Sequence, residues 1–191
     1  MYNRPFTPER ITELKPDEIF VFGSNLAGAH AGGAARIAHE KFGAVWGQGV
    51  GLQGQSYAIP TMQGGVETIR PYVDRFLNYA DNHPNYTFLV TRIGCGIAGF
   101  TAEQIAPLFH DALEISNILL PEDFVRIIDA EYEHFLDSFD HDADRNMDMR
   151  LSMTEEEPVA CLYGPPPVGS TITKQWNIWD WFKNIFCKNL H

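Results

Sequence analysis

Two glycine-rich turns in this chain have the composition of anion-binding loops. The first, Gly23–Gly33, follows the apolar run Ile19–Phe22, and the second, Gly94–Phe100, follows the run Thr87–Ile93. A strand that ends in glycines before a helix presents free backbone N–H groups and the positive end of the helix, and both attract anions. Two such turns predict one ligand held at two points, such as a diphosphate with a sugar on either side.

Three side chains in these turns could take part in the chemistry of such a ligand. Asn25 contacts the ligand at the end of the strand, or it occupies a left-handed turn or caps the next helix. His30 is a candidate for acid–base work near a ribose, and the alternative is a histidine in a surface loop. Cys95 lies near a predicted helix start, a position that can lower a thiol pKa and make the thiol a nucleophile, although the sequence places no partner histidine beside it. The alternative for Cys95 is a small side chain that fits the turn.

The second turn also satisfies the G-x-G-x-x-G pattern of dinucleotide-binding loops from Gly94 to Gly99. That fingerprint requires an acidic residue about 20 positions further on, at the end of the next strand. The acid at the predicted strand end is Asp129, which lies further along the chain than the fingerprint requires. NAD(P) binding through Gly94–Gly99 is therefore an alternative hypothesis, and a purely structural glycine turn is another.

The elements that must position the turns alternate between strands and helices. The predicted strands are Ile19–Phe22, Ser56–Thr61, Tyr86–Ile93 and Phe124–Ile128. The first two predicted helices are Ala34–Phe42 and Val66–Ala80. A third begins at the capping box Thr101–Gln104 and extends to about Ile118, with a kink at Pro107, and a fourth begins near Glu131. Strands that alternate with helices predict an α/β domain with a largely parallel sheet. Such sheets bind ligands outside the carboxyl ends of their strands, where both turns fall.

Charge and cysteine usage exclude several classes of protein. A formal net charge of −11 argues against a nucleic-acid-binding protein, which needs clustered lysine and arginine. The three cysteines are far apart and form no C-x-x-C pair, which argues against a disulfide scaffold or a zinc ribbon and for a reducing compartment. Without a signal peptide or an apolar run of about 18 residues, we expect a cytoplasmic protein that does not enter a membrane. No spacing of ligand residues predicts a metal or another cofactor.

Composition divides the chain into three predicted segments. Residues 1–139 form the α/β domain, residues 140–175 an acidic and proline-rich linker, and residues 176–191 an aromatic C-terminal helix. The tail carries Ile178, Trp179, Phe182, Ile185 and Phe186 on one helical stripe. Such a stripe packs on the chain's own domain or a sister subunit, or it recruits a protein partner. A non-catalytic interaction protein that uses this tail is accordingly a rival functional hypothesis.

Five segments, in the same order, resemble the macro domains, a family that binds ADP-ribose. Ile11–Asn25 is similar to the family's lead-in, a strand that ends in an N-x-A-N turn, and Gly32–Ala35 is similar to the glycine run that opens the first ligand-facing helix. Gly54–Thr61 resembles the strand that follows, and Ile93–Phe100 the S-T-G-x-Y-G-F phosphate loop. Arg126–Tyr132 resembles the last strand and the start of the closing helix. The resemblance covers Ile11 to Phe135.

The resemblance implies that Asn25 contacts the distal ribose, Gly28–Gly33 the ribose and a phosphate, and Gly94–Phe100 the diphosphate. It also implies hydrolase activity on ADP-ribosyl derivatives, with Asn25 and His30 as candidate catalytic residues. The complete set of predicted ligand-binding residues is Gly23, Ser24, Asn25, Gly28, Gly32, Gly33, Gly94, Cys95, Gly96, Ile97, Ala98, Gly99 and Phe100.

The chain departs from the family pattern at several ligand-facing positions. Arg10 stands where the family usually has the aspartate that holds the adenine amino group. Phe22 replaces the first asparagine of N-x-A-N, and Ala98 replaces the tyrosine of the phosphate loop. Ala34 and Ala35 occupy the region in which hydrolytic members carry a water-positioning aspartate. The sequence therefore resembles a divergent member in which binding has more support than catalysis.

Overall fold

The run Ile19–Phe22 is apolar at every position, which is typical of a parallel strand that is buried on both faces. In the computed structural model, which describes residues 4–134, this run lies within the central strand of a mixed five-stranded sheet. The strands are β1 (Glu18–Ser24), β2 (Gly51–Gln53), β3 (Ser56–Pro60), β4 (Thr87–Val90) and β5 (Ile118–Leu119). Their order is β2-β3-β1-β4-β5, and every pairing is parallel except that between β2 and β3.

Helices cover both faces of the sheet. They are α1 (Gly33–Lys41), α2 (Arg70–Asp81), α3 (Ala102–Ile105) and α4 (residues 122–134), with two 3-10 helices at Val66–Thr68 and Ala106–Leu113. Alternate residues of β1 point to opposite faces. Phe20 and Phe22 belong to the smaller core cluster, with α1, whereas Ile19 and Val21 belong to the larger one, with α2 and α4.

The predicted strand Phe124–Ile128 is wrong, because those residues lie in α4. Phe124, Val125 and Ile128 are buried and Arg126 is exposed, a pattern that fits one face of a helix. The position of the next strand after β4 is taken by the short β5, which pairs with β4 through Phe88 and Ile118. The helix predicted to begin near Glu131 therefore begins at residue 122.

The helix predicted from Thr101 to about Ile118 is shorter and less regular than expected. Its start is confirmed, because the Thr101 N–H donates to Oε1 of Gln104 at 3.0 Å, as a capping box requires. The α-helix ends after Ile105, and the chain continues as the 3-10 helix Ala106–Leu113. Pro107 accounts for the change, since proline lacks the N–H that an α-helix needs at that position.

The predicted strands Ile19–Phe22 and Ser56–Thr61 and the helix Ala34–Phe42 are confirmed with shifts of one or two residues at their ends, and Pro60 closes its strand as expected. The strand predicted at Tyr86–Ile93 is shorter, Thr87–Val90, and the helix predicted at Val66–Ala80 is divided into the 3-10 helix Val66–Thr68 and α2. The predictions for residues 135–191, which include the whole linker and the aromatic tail, lie outside the described residues. None of the helices within residues 4–134 combines the length and the hydropathy that a bilayer-crossing segment needs.

Candidate functional site

The loops that follow β1, β3 and β4 meet at one edge of the sheet, as the parallel arrangement predicts. Gly23 shows how closely they approach. A Cβ atom added to Gly23 would lie 3.3 Å from the backbone N of Gly94 and 3.4 Å from Oγ1 of Thr61. Thr61 in turn donates its backbone N–H to the Ser24 carbonyl oxygen at 2.9 Å. The carboxyl ends of three neighbouring strands therefore form one continuous edge.

The two glycine turns face each other across this edge. A Cβ atom added to Gly32 would lie 3.1 Å from Cδ1 of Ile97, so the side chain of Ile97 reaches from the second turn to the first. Ile97 is 75% exposed and thus contributes little to the core. The contact brings the two glycine turns together at the carboxyl ends of the strands.

Backbone hydrogen bonds stabilise the second turn but leave three of its N–H groups unpaired. The N–H groups of Gly99 and Phe100 donate to the carbonyl oxygens of Gly96 and Gly94, and the Cys95 N–H donates to the carbonyl oxygen of Arg92, just before the turn. No described residue accepts a hydrogen bond from the N–H groups of Gly96, Ile97 or Ala98. Above them is open space, since a Cβ atom added to Gly96 would meet nothing within 4 Å. The second turn therefore has the free donors that a phosphate group requires.

The first turn contributes the start of α1. Its N-cap is Gly32, which has no side-chain cap, and the first turn of the helix contains no acidic residue. The first hydrogen bond runs from the Arg36 N–H to the Gly32 carbonyl oxygen at 3.2 Å, and the described residues offer no acceptor to the N–H groups of Gly33, Ala34 and Ala35. Space beside Gly33 is open as well. Two groups of unpaired amides therefore lie on either side of the Gly32–Ile97 contact.

Asn25 and Gly28, both predicted to touch the ligand, hold the first turn in shape. The Asn25 side chain accepts from the Ala29 N–H at 3.1 Å and donates to the Ala29 carbonyl oxygen at 3.0 Å. Gly28 is buried with φ +64, donates its N–H to Asn25 and accepts from the Gly47 N–H. A Cβ atom added to Gly28 would lie 2.3 Å from the backbone N of Gln48. Its polar groups are satisfied within the fold, so Gly28 acts as a packing glycine.

His30 lies inside the protein, so its interpretation as a surface-loop histidine is wrong. The ring is 1% exposed and is surrounded by the rings of Phe22, His39 and Trp46 at centroid distances of 5.3, 6.4 and 6.5 Å. Its Nε2 donates to the Gln48 carbonyl oxygen at 3.1 Å, and its Nδ1 is buried without a partner among the described residues. The cause is the loop that contains Trp46 and Gln48, which covers the ring.

That covering loop is part of the glycine-rich stretch Gly43–Gln55, which packing holds in place. The side chain of Gln53 accepts from the Val45 N–H at 2.6 Å and donates to the Gln48 carbonyl oxygen at 3.1 Å. Gln53 itself is buried at the end of β2. One buried amide therefore fixes the loop that encloses His30.

The nucleophile hypothesis for Cys95 loses its support, because burial raises the pKa of this thiol, and the negative charge of Asp123 adds to the effect. The Sγ atom donates to the Ile93 carbonyl oxygen at 3.6 Å. A raised thiol pKa leaves little thiolate at neutral pH, so Cys95 does not have the properties of an activated nucleophile. The small-side-chain alternative agrees with this environment.

The dinucleotide-binding alternative loses both of its structural requirements. Asp129 lies within α4 and not at the end of a strand. The α-helix that follows Gly94–Gly99 has only four residues, Ala102–Ile105, before it becomes a 3-10 helix. A dinucleotide fingerprint needs a regular helix that opens at the third glycine.

A cleft of about 940 Å³ lies beside the second turn, between the N-terminal segment, α1 and the start of α4. The sequence does not predict its far wall, because the start of α4 lies there and Phe124–Ile128 has the pattern of a strand. The apolar residues of its lining are Phe6, Pro8, Ile11, Phe20, Ala34, Ile37, Val90 and Pro121. Its charged residues are Glu9, Arg10, Arg92, Glu122, Asp123 and Arg126. Thr91 and Arg92 join this cleft to Gly94–Phe100.

Buried polar atoms without a partner occur in loops or helix starts that follow the sheet. Within residues 4–134 they are Nδ1 of His30, both polar atoms of the Gln63 side chain, and Oδ1 of Asp123. His30 follows β1, Gln63 follows β3, and Asp123 follows β5. A buried donor or acceptor without a partner costs roughly 1–3 kcal/mol, and ordered water is a usual partner of such groups. Gln63 and Asp123 were not among the predicted site residues, since neither lies in a glycine turn.

Within residues 4–134, no group of three or more His, Cys, Asp or Glu side chains is arranged to hold a metal ion. The donors of this site are backbone amides, and its walls are apolar with a few charged side chains. Comparisons of the chain with protein-family models, with curated proteins and with solved structures returned no match.

Proposed function

We propose that this chain is a divergent macro-like domain that binds an ADP-ribose-type nucleotide, in which a diphosphate joins a nucleoside to a second ribose. The observation that carries the proposal is the approach of the two glycine turns at Gly32 and Ile97, with unpaired amides on both sides of the contact. Amides of Gly96–Ala98 hold one phosphate in this arrangement, and amides of Gly33–Ala35 hold the other. The resemblance to macro domains over Ile11–Phe135 adds support.

Electrostatics agree with an anion held by the backbone. The two turns contain no acidic residue, and eleven of the 25 acidic residues in the chain lie between Asp129 and Glu157. Neither turn contains lysine or arginine, so a cationic side chain near the diphosphate would have to come from outside the two turns. Backbone N–H groups and the positive end of α1 supply the attraction in place of cationic side chains. Binding of a diphosphate by these backbone amides is therefore compatible with the negative net charge of the chain.

The cleft beside Thr91 and Arg92 gives the nucleoside half of the ligand a place to bind. Phe20 and Ile37 supply apolar walls, and Ala34 belongs both to this lining and to the first turn of α1. A ligand that extends from the cleft past Ala34 would therefore carry its diphosphate between the two groups of free amides. Apolar walls with a few polar groups are typical of small-molecule sites.

The proposal is limited to binding. The Nε2 atom of His30 is committed to the Gln48 carbonyl oxygen, and the ring is enclosed, so its predicted role in acid–base catalysis gains no support from its surroundings. Ala34 and Ala35 also provide no carboxylate to position water. Hydrolysis of ADP-ribosyl derivatives stays a prediction that rests on the resemblance to macro domains. Recruitment of a protein partner by residues 176–191 likewise stays a prediction, which rests on the aromatic stripe.

Titration calorimetry on the full chain tests the proposal. ADP-ribose is expected to bind with a stoichiometry of one, whereas ADP and ribose 5-phosphate, each of which provides only part of the ligand, are expected to bind more weakly. NAD and a UDP-sugar in the same series test the alternatives that the glycine loop allows. Absence of binding by ADP-ribose, or tighter binding of NAD, would contradict the proposed ligand.

Asn25→Ala is expected to weaken ADP-ribose binding at least tenfold, a loss of about 1.4 kcal/mol. The Asn25 side chain closes the loop through two hydrogen bonds with Ala29, so its removal loosens the turn that leads into α1. Asn82→Ala is the matched control, because Asn82 likewise bonds a backbone group four residues away, at the end of α2. Equal affinities of both variants in calorimetry would remove Asn25 from the site.

A further inference from the structure

The N-terminal segment forms one wall of the cleft and is fixed on both sides of that wall. Thr7 is buried, its backbone N–H donates to the Leu120 carbonyl oxygen at 2.8 Å, and its Oγ1 donates to the Leu119 carbonyl oxygen at 2.7 Å. Further along, Ile11 packs against the smaller core cluster. Residues 8–10 lie between these two anchors and line the cleft, so the backbone of this wall has a set position.

Arg10, in this wall, carries a positive charge that no described residue neutralises. Among the arginines that the structure describes, it alone has no carboxylate, carbonyl oxygen or aromatic ring as a partner. The other two arginines of the cleft lining, Arg92 and Arg126, pair with Asp123 at 3.0 Å and with Glu122 at 2.6 Å. The Arg10 side chain is also exposed, so a ligand in the cleft can reach it.

Arg10 enters the cleft on the side of α1. Ile11, the next residue, packs against the same core cluster as Ala34, which lies in the first turn of α1. Ala34 also lines the cleft, and its N–H belongs to the unpaired amides that the proposed function assigns to a phosphate. In a nucleoside diphosphate, the ribose lies between the diphosphate and the base. A diphosphate held at these amides therefore brings the nucleoside ribose to the part of the cleft that Arg10 lines.

The chemistry of a guanidinium indicates which group on that ribose it would bind. Arginine donates two parallel hydrogen bonds to a phosphate, and it accommodates the ribose 2′-phosphate in many nucleotide-binding proteins. The cleft offers no general excess of positive charge, because Glu9, Glu122 and Asp123 balance its three arginines. Attraction of an anion here consequently depends on direct contact with Arg10. A ribose with only hydroxyl groups provides no anion, whereas a phosphate ester on the ribose does.

We propose that Arg10 is a specificity-determining residue that selects a ligand with a phosphate ester on the ribose of its nucleoside half. The inference rests on the proposed function, since it assumes that the diphosphate lies at the two groups of amides and that the nucleoside occupies the cleft. The Arg10 guanidinium donates to two oxygens of the ester phosphate, and the anchors Thr7 and Ile11 hold the wall at which this contact forms. The ligand class is accordingly a phosphorylated ADP-ribose.

Calorimetry with ligands that differ by one phosphate tests this assignment. The full chain is titrated at one fixed salt concentration with ADP-ribose, with its 2′-phosphate and with its 3′-phosphate, both on the ribose of the adenosine. We expect the wild-type chain to bind one of the two esters at least tenfold more tightly than ADP-ribose. Arg10→Gln removes the charge and the paired donors, and is expected to reduce this ratio to within about threefold of unity.

Arg126→Gln is the matched control, because it removes the same charge from the same cleft but from an arginine that is paired with Glu122. It is expected to keep the wild-type ratio, and thermal unfolding of all three proteins checks that each is folded. If neither ester binds more tightly than ADP-ribose, if Arg10→Gln keeps the ratio, or if both variants lose it equally, the role of Arg10 is overturned while the proposed function stands. Binding of none of the three ligands would overturn both.

Discussion

Gly96→Val is expected to abolish ADP-ribose binding, with a loss of at least a hundredfold, or about 2.7 kcal/mol, while the domain stays folded. Gly96 lies in the middle of the unpaired amides of the second turn, and its position faces open space. Its φ angle is not positive, so the backbone accepts a side chain without strain. A valine there would occupy the space in which the phosphate approaches the Gly96, Ile97 and Ala98 amides. Calorimetry measures the affinity.

A size series separates this blocking effect from a general disturbance of the loop. Gly96→Ala adds one methyl group and is expected to give an intermediate loss, and both variants should melt within a few degrees of the wild-type chain. Global unfolding of Gly96→Val would show that the glycine serves the fold. Binding of normal strength in the folded variant would exclude the second turn from the ligand site.

Gly28→Ala is expected to destabilise the protein by about 3 kcal/mol or more, the largest stability effect among the site glycines. A methyl group at Gly28 would lie 2.3 Å from the backbone N of Gln48 and 2.4 Å from the carbonyl carbon of Gly47. Neither atom belongs to a flexible side chain, so two backbone segments must separate. A residue with a Cβ atom also pays about 1 kcal/mol of conformational free energy to adopt φ +64, in addition to the steric overlap. Urea denaturation measures the free energy of unfolding.

Gly33→Ala is the matched control for that experiment. Gly33 belongs to the same turn and has a similar φ of +57, but a Cβ atom there would meet nothing within 4 Å. Its expected loss of about 1 kcal/mol reports the backbone strain alone. The difference between the two variants therefore measures the contact with the covering loop. Equal losses would mean that Gly28 is not packed as described.

Sequence patterns predicted the three central strands, which are largely apolar, but not the short outer strands β2 and β5. Ile19–Phe22 and Ser56–Thr61 were placed correctly for that reason, as was the edge at which the glycine turns lie. The last element was predicted wrongly, since a short run of buried β-branched residues fits a strand and one face of a helix equally well. Pro121 followed by Glu122 and Asp123 was the signal that a helix begins, because proline and acidic residues favour the first turn.

The candidate site was predictable only in part, because composition does not distinguish the uses of a glycine. Gly28 and Gly96 lie in equally glycine-rich turns, yet one is packed against backbone and the other faces open space. That difference depends on the covering loop, whose position is fixed by hydrogen bonds of Gln53 across the sheet edge. The burial of His30 has the same origin. Contacts between segments that are distant in the sequence therefore determine whether a glycine packs against the backbone or faces open space.

The most direct measurement of the central claim is an amide proton–nitrogen correlation spectrum of the labelled full chain, titrated with ADP-ribose. Hydrogen bonds from backbone N–H groups to a phosphate shift those amide signals individually. We expect the largest shifts at Gly96, Ile97 and Ala98 and at the first residues of α1, with smaller shifts around the cleft. Saturating ligand that leaves both sets of amides unshifted, or that shifts only one of them, would contradict a diphosphate held between the two turns.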